Sequence, residues 1–398
     1  MTRHPQFADA AYLLDGFEHV ETIPEFEARL RLGRPLKVKL GIDPTSPDLH
    51  LGFMVVLNQL QRFAEVGHDV TLIIGDFTAK IGDPSGKNET RPQLSDGEIE
   101  ANMQTYREQA AKVLDMDRIA VRYNSEWLAP LATADFIKLA AKVSVAQMLE
   151  RNDFRQRYEG GESISLHEFL YPIAMAYDSV MVECDVELGG VDQLFNLLMG
   201  RHYQREHGQA AQICAMVPLL VGLDGHKKMS KSLGNYVGVT EDAQTQFGKL
   251  MSIGDDVMPV YARYAAFRSK AACEALVAEL KAGANPMDLK KRIAQDVVAR
   301  YHGLEGARAA RDYFERTVQR KEIPVDRIAD LSRGDCTKVA EMLVKAGFAE
   351  SKRAAERLIS GSGVKVDGIV VTDPKAPWTA VGPAVLSVGS RKFVRITA

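Results

Sequence analysis

No run of about 18 apolar residues occurs in this 398-residue chain, which excludes a membrane-spanning helix as its organising feature. Paired cysteines are missing too. Cys184, Cys214, Cys273 and Cys336 are scattered, none forms a C-x-x-C pair, and neither a zinc site nor a disulfide framework is suggested. Buried free thiols are the expectation, and no bound metal is expected. Charge of one sign is also lacking, because the formal net charge is only −3. Internal repeats and low-complexity segments are absent, which removes repeat architectures from consideration. Met1 to Leu13 lacks an apolar signal core, so a cytoplasmic protein is expected.

What is present suits an enzyme-sized globular protein. An apolar fraction of 46 % can fill a core, and 26 % charged residues is ordinary for a soluble chain. The length calls for two or three domains. The charge is uneven. Residues 330–398 hold 11 Lys and Arg against 7 Asp and Glu, a net +4, which leaves −7 on the rest. A mildly basic tail on an acidic body suits local contact with RNA, although many surfaces differ this much.

Val38 to Ile42 reads as a short strand, followed by the turn-forming Asp43-Pro44-Thr45-Ser46-Pro47-Asp48. Leu49, Phe53, Val56, Leu57, Leu60 and Phe63 have helical spacing, and Gly67 ends that helix. Val70 to Ile74 is a second buried strand. Such a strand–helix–strand unit opens a Rossmann-like, doubly wound parallel sheet of the α/β class. A glycine turn, Gly82-Asp83-Pro84-Ser85-Gly86-Lys87, comes soon after. Helices are expected over 96–114 and 133–151, and a strand over 180–188 ending at Gly189-Gly190. Val217 to Val221 leads into a lysine-rich loop.

The catalytic domain is therefore placed at 1–222 with a connective insertion, and the loop at 223–239. A helical domain is expected at 240–320, a linker at 321–332, and a small α+β domain at 333–398. In the last, two short helices precede a strand pair around Asp367-Gly368, a strong hairpin signal.

Two constellations carry chemistry. His50-Leu51-Gly52 stands at a helix start, where unpaired N–H groups favour anions. Taken alone the triplet is a weak signal, because a lone histidine at a helix start is more often structural. Lys228-Met229-Ser230-Lys231-Ser232 places two lysines three residues apart on a loop. Such a pair can neutralise charge on a leaving polyphosphate, and the length and exactness of the string weigh against a merely solvated basic loop.

Together, Asp48-Leu49-His50-Leu51-Gly52 and Lys228-Met229-Ser230-Lys231-Ser232 resemble the paired signature of class I aminoacyl-tRNA synthetases. The intervening segments resemble the tyrosyl-tRNA synthetases. Gly41 to Thr45 is similar to their first strand and turn, and Tyr171 to Asp178 to their amino-acid pocket helix. Gly189-Gly190-Val191-Asp192-Gln193 is similar to their ribose and carboxylate loop. The C-terminal segment resembles the S-four-type RNA-binding module of the bacterial enzymes. The likeness covers nearly the whole chain and is nearest the branch with a lysine, here Lys39, on the first strand.

That resemblance implies the following roles. Asp178 accepts a hydrogen bond from the substrate phenol, in a tyrosine pocket that includes Lys39 and Met175. Asp83 and Tyr171 hold the α-ammonium, with Asn124 closing that side, and Gln193 meets the carboxyl group. Asp192 binds the ribose beside Gly190. Gly41, His50, Gly52 and Phe53 contact the nucleotide, as do Met229 and Ser230. Lys87 and Arg91 reach the pyrophosphate with Lys228 and Lys231, while Asp43 and Thr45 line the reaction centre. Lys352, Arg353, Arg357, Lys365, Arg391 and Lys392 are candidates for contacts to RNA phosphates.

The implied substrates are L-tyrosine, ATP with Mg²⁺, and tRNA-Tyr, and the implied assembly is a homodimer with no membrane partner. The sequence departs from the family pattern at three places: Phe53 replaces a histidine, Met175 a glutamine, and Val191 a small hydroxyl residue. These leave two alternatives: a tryptophanyl enzyme, or a synthetase-like RNA-binding relative altered in catalysis. A nucleotidyltransferase with the same two signatures is a third, which the basic C-terminal module opposes.

Overall fold

A computed structural model describes residues 10–45, 47–84, 94–320, 329–389 and 392–397. Lys87, Arg91 and Arg391 lie outside the described residues, as does most of the expected linker. Two compact units are distinguished, 1–307 and 308–398.

The first unit is built on a six-stranded sheet. Its strands are β1 (His19–Glu21), β2 (Lys37–Ile42), β3 (Asp69–Ile74), β4 (Ile119–Tyr123), β5 (Val186–Gly190) and β6 (Ile213–Val217). Their spatial order is β1-β6-β5-β2-β3-β4, all parallel except β1 against β6. The central strands are largely apolar because both faces are covered, with Lys39 on β2 and Glu187 on β5 as buried exceptions. Val38, Leu40, Leu72, Ile73, Val186 and Leu188 are all buried. From β2 the chain winds outward through β3 and β4, then returns to place β5 and β6 on the other side. The order therefore reverses between β2 and β5, where a doubly wound sheet opens a crevice at the carboxyl ends of its strands.

Helix α1 (Leu51–Glu65) follows β2, with His50 as its N-cap. Its apolar face (Leu51, Met54, Val55, Leu60 and Phe63) is buried. Helices α2 (Thr78–Ile81) and α3 (Asp96–Ala110) join β3 to β4, and α4 (Ser125–Leu128) follows β4. Helix α5 (Leu170–Met181) packs extensively on α6 (Leu194–Glu206).

Two expected elements differ. The helix over 133–151 is broken into Thr133–Ala140 and Val145–Met148. Ser144 restarts the chain with a capping box in which its hydroxyl and the Gln147 side chain serve each other's backbone N–H. The strand over 180–188 begins only at Val186, because α5 runs through Met181. Glu183 then adopts a positive φ of 48°, and the Cys184 N–H closes back on the Ser179 carbonyl. Val180 is apolar because it finishes the buried face of that helix, whereas Met181 beside it is exposed.

Residues 243–319 are helical, with no strand among the described residues. The helices are Ala243–Met251, Lys270–Lys281 and Pro286–Phe314, the last broken at Gly303. The chain widens into π-helical turns at Tyr261–Ala265 and Glu315–Gln319.

The second unit carries a five-stranded sheet. Strands β7 (Asp330–Ser332), β8 (Val364–Val366), β9 (Ile369–Val370), β10 (Ala384–Val388) and β11 (Lys392–Thr397) lie in the order β7-β11-β10-β8-β9. Helices Val339–Lys345 and Lys352–Ser360 supply Met342, Leu343, Ala355 and Ile359 to a core with Val364, Leu386 and Ile396. The hairpin forms where expected: Val366 pairs with Ile369, and Asp367 and Gly368 take φ of 47° and 82°. Positive φ at both turn residues matches the twist of the flanking strands.

Candidate active site

A cleft of about 660 Å³ opens at the switch point. Asp43, Thr45, His50 and Gly52 line it after β2, and Gly75 and Thr78 after β3. Gly190, Asp192 and Gln193 follow from the end of β5, and Lys228 to Leu233 from the lysine loop. Tyr171, Met175 and Asp178 descend one face of α5 at helical spacing.

The deep end is organised by Asp178, which is buried. Trp127 Nε1 donates to Asp178 Oδ1 at 2.8 Å, and Asn124 Nδ2 donates to Oδ2 at 3.3 Å. Burial pushes the Asp178 carboxyl up to about 7, against the opposing pull of Lys39, Trp127 and Asn124. Asn124 also donates to Thr78 Oγ1 at 3.0 Å and accepts the Phe77 N–H at 3.0 Å. Its side chain is therefore engaged with Asp178, Thr78 and Phe77.

Lys39 does not line this cleft. It is fully buried and ion-paired with Glu187 at 2.6 Å, its register partner across β2 and β5. Ser179 Oγ donates to the other Glu187 oxygen at 3.2 Å, and Gln212 Nε2 also donates to it. Burial lowers the Lys39 ammonium, but Glu187 and Asp178 outweigh it and the net shift is upward.

In the middle of the cleft, Asp43 accepts from Thr78 Oγ1 at 2.7 Å and from Tyr171 OH at 2.9 Å. Gly75 is required here because a Cβ would collide with the Asp43 carboxylate and the Thr78 hydroxyl. Asp83 accepts from Gln193 Nε2 at 3.0 Å and lies 3.5 Å from Arg151 Nη2. Met175 packs with Val191 and Leu194 around Leu197, Cys214 and Met216, so two of the three departures meet in one apolar patch.

The mouth is cationic. His50 Nδ1 accepts the Gly52 N–H at 3.1 Å, so its neutral ring carries the proton on Nε2 as a donor. Burial and then the charges of Lys231 and Lys228 push the ring down to about 4. Phe53, the third departure, lies 4.8 Å from the His50 ring, centroid to centroid. Lys228 pairs with Asp192 at 3.1 Å, and Lys231 donates to the Asp48 carbonyl. Burial lowers the Lys231 ammonium.

Asn235 staples the loop: its Oδ1 accepts the Ser230 N–H at 2.8 Å, and its Nδ2 donates to Asp224 at 2.8 Å. At Gly190 a Cβ would stand 2.7 Å from Asp192 Oδ1 and 3.0 Å from Leu219. No group of three or more acidic, histidine or cysteine residues able to hold a metal occurs among the described residues. In the second unit Lys352, Arg353, Arg357, Lys365 and Lys392 are exposed, and Lys352 reaches Glu341 at 3.2 Å.

Thr78, Trp127, Arg151, Glu187 and Asn196 are site residues that sequence reading missed. Each works through a partner distant in sequence, so no local motif marks it.

The chain belongs to the class I tRNA synthetases of the W and Y type, whose family model matches residues 31–319; an S4 domain matches residues 339–377. It is 49 % identical over 379 residues to "Tyrosine--tRNA ligase 2" of Vibrio parahaemolyticus, covering 95 % of each chain. It is 50 % identical over 365 residues to "Tyrosine--tRNA ligase" of Cupriavidus pinatubonensis, covering 92 % of this chain and 88 % of that one. Within the class it is thus a member of the tyrosine–tRNA ligases. Its fold is similar to the tyrosyl-tRNA synthetase of Archaeoglobus fulgidus, solved with L-tyrosine. That match has a TM-score of 0.63 at 22 % identity and covers 76 % of this chain and all of the other.

Proposed function

We propose that this chain activates L-tyrosine with ATP and transfers the tyrosyl group to the 3′ end of tRNA-Tyr. The observation that carries this reading is the polarity of one cleft. A buried carboxylate with two donors closes its deep end, and two lysines and a helix N-terminus ring its mouth. A phenol suits the first, and a triphosphate the second.

The tyrosine carboxylate attacks the α-phosphorus of ATP, an oxygen–phosphorus bond forms, and the bond to the β-phosphate oxygen breaks to release pyrophosphate. The carboxylate already carries its charge, so no general base is needed. Catalysis rests on positioning and on charge stabilisation. Lys228 and Lys231 neutralise the departing pyrophosphate, together with Lys87 and Arg91. His50 donates from Nε2 towards a phosphate. Asp192 holds the ribose, and Mg²⁺ arrives on the ATP phosphates as part of the substrate. The 2′-hydroxyl of the terminal adenosine then attacks the acyl carbon, and AMP leaves.

Asp178 selects tyrosine over phenylalanine, since a buried polar site left without its partner is costly. The tyrosyl enzyme is the standard illustration of such discrimination without editing, at about 10⁵-fold. The helical region 240–320 and the segment 333–398 contact RNA, the latter through Lys352, Arg353, Arg357, Lys365, Arg391 and Lys392. We also propose a cytoplasmic homodimer. Support comes from the insertion between β4 and β5, where Ile137, Val145, Tyr158 and Leu166 are each more than 60 % exposed.

Aminoacylation of tRNA-Tyr with labelled tyrosine tests the reading. Charging of tRNA-Tyr is expected, and its loss is expected in Asp178→Ala with ATP binding retained. Unchanged tyrosine kcat/KM in that variant would remove Asp178 from the pocket.

A further inference from the structure

The residues proposed to read the backbone of the amino acid do not stand alone. Asp83 and Gln193 are two corners of a closed four-residue ring. Gln193 Nε2 donates to Asp83 Oδ2 at 3.0 Å, and Asn196 Nδ2 donates to Gln193 Oε1 at 2.8 Å. Arg151 Nη1 donates to Asn196 Oδ1 at 3.2 Å, and Arg151 Nη2 lies 3.5 Å from Asp83 Oδ1. The ring joins the glycine turn after α2, the insertion and the start of α6.

Two of its members lie behind the cleft. Asn196 and Arg151 are 1 % and 5 % exposed, and neither lines the cavity. Arg151 is held rigidly. Its Nε donates to Asp153 at 2.7 Å, and its guanidinium lies 5.1 Å and 5.9 Å from the Phe154 and Phe195 ring centroids.

This arrangement sets chemistry at the two exposed corners. Arginine only donates, so it fixes Asn196 with its oxygen towards Arg151 and its amide NH₂ towards Gln193. Gln193 must then offer its own NH₂ to the cleft side, where it matches a carboxyl group. The guanidinium 3.5 Å from Asp83 also holds its carboxylate in one orientation before substrate arrives. We propose that Arg151 and Asn196 are positioning residues that preset Asp83 and Gln193, and that the ring imposes the requirement for an α-ammonium group on the substrate. This rests on the tyrosine-activating reading above.

The test is equilibrium binding of L-tyrosine, of 3-(4-hydroxyphenyl)propanoate, which lacks the ammonium group, and of ATP. The proteins are the full-length wild type, Arg151→Gln, Arg151→Lys and Asn196→Ala, each checked by thermal melting. In Arg151→Gln, L-tyrosine is expected to weaken by about 10- to 100-fold, the scale of one charge-assisted hydrogen bond. The desamino analogue should change by less than about 3-fold and ATP not at all, so discrimination between the two acids collapses. Arg151→Lys should recover part of it, and serves if the glutamine variant does not fold.

Equal weakening of both acids would reduce Arg151 to a structural role and overturn the proposal. So would unchanged discrimination in Arg151→Gln, or unchanged binding of both acids in Asn196→Ala, where release of the carboxyl-facing Gln193 should weaken the two acids alike. Wild-type protein that binds neither acid would instead overturn the functional reading beneath it.

Discussion

Burial of Asp178 has two consequences that run in opposite directions with pH. Its folded pKa of about 7 lies above the ordinary aspartate value of 3.8. Protonated Asp178 therefore favours the folded state, fully so below about 4, and this contribution is lost as pH rises through about 7. Stability of the free protein should fall across that window by up to about 1.4 kcal/mol per pH unit from this group. Asp178→Asn should remove that slope in denaturation curves, and a slope unchanged in the variant would deny the shift.

Binding should move the other way. A phenol donates best to an ionised carboxylate, so tyrosine kcat/KM should rise with pH through about 7. The groups facing Asp178 that shape this limb are Lys39, Glu187, Trp127 and Asn124. Lys39→Met should strand Glu187 and cost about 3–5 kcal/mol, while Lys39→Met with Glu187→Leu should recover most of it. In the double variant the acid limb should move to higher pH, because Lys39 no longer favours the ionised form. Urea melts and pH–rate profiles separate the two effects.

At this scale the sequence is partly legible. Asp178, His50 and the loop lysines sit in short motifs that carry their chemistry with them. Lys39 can be named from its strand but not placed, because its partner Glu187 is 148 residues away and becomes adjacent only through strand register. The family resemblance puts Asn124 at the ammonium end, yet its amide is spent on Asp178 and Thr78.

Turns and caps decide how well each element presents its residues. His50 ends its strand-like backbone at φ −123° and caps α1 with its own ring, so one residue both starts the helix and faces the cleft. Gly190→Ala is expected to displace Asp192 or Leu219, because the new methyl meets both within 3.0 Å. The KM for ATP should rise several-fold, with an overpacking cost of about 1–3 kcal/mol. Steady-state kinetics with ATP varied would show it, and an unchanged KM would free Asp192 from the ribose role.

Elements are readable where one period dominates. The β2–α1–β3 unit and the Asp367-Gly368 hairpin follow from alternation, helical spacing and turn chemistry. The stretch 133–151 misleads because its apolar spacing continues across a break made by Ser144 and Gln147. The stretch 180–188 misleads because the last residues of a helix, Val180 and Met181, are as apolar as the strand that follows. Strands β10 and β11 escape notice, since neither carries a strong turn signal comparable to Asp367-Gly368.

The whole molecule divides its charge as it divides its chain. Replacing Lys352, Arg353 and Arg357 together by alanine should weaken tRNA binding and flatten its salt dependence, by roughly one unit of slope for each phosphate no longer neutralised. Pyrophosphate exchange should stay at the wild-type rate. Filter binding at several salt concentrations, beside the exchange assay, would reveal a fall in both if these residues served the first unit's chemistry instead.

The most direct measurement is ATP–pyrophosphate exchange with each of the twenty amino acids, without tRNA. Exchange driven by tyrosine alone is the expected result, with Phe53 and Met175 then tolerated variations on a working site. Exchange with a different amino acid would contradict the assignment of the Asp178 pocket, and no exchange with any would contradict catalysis itself.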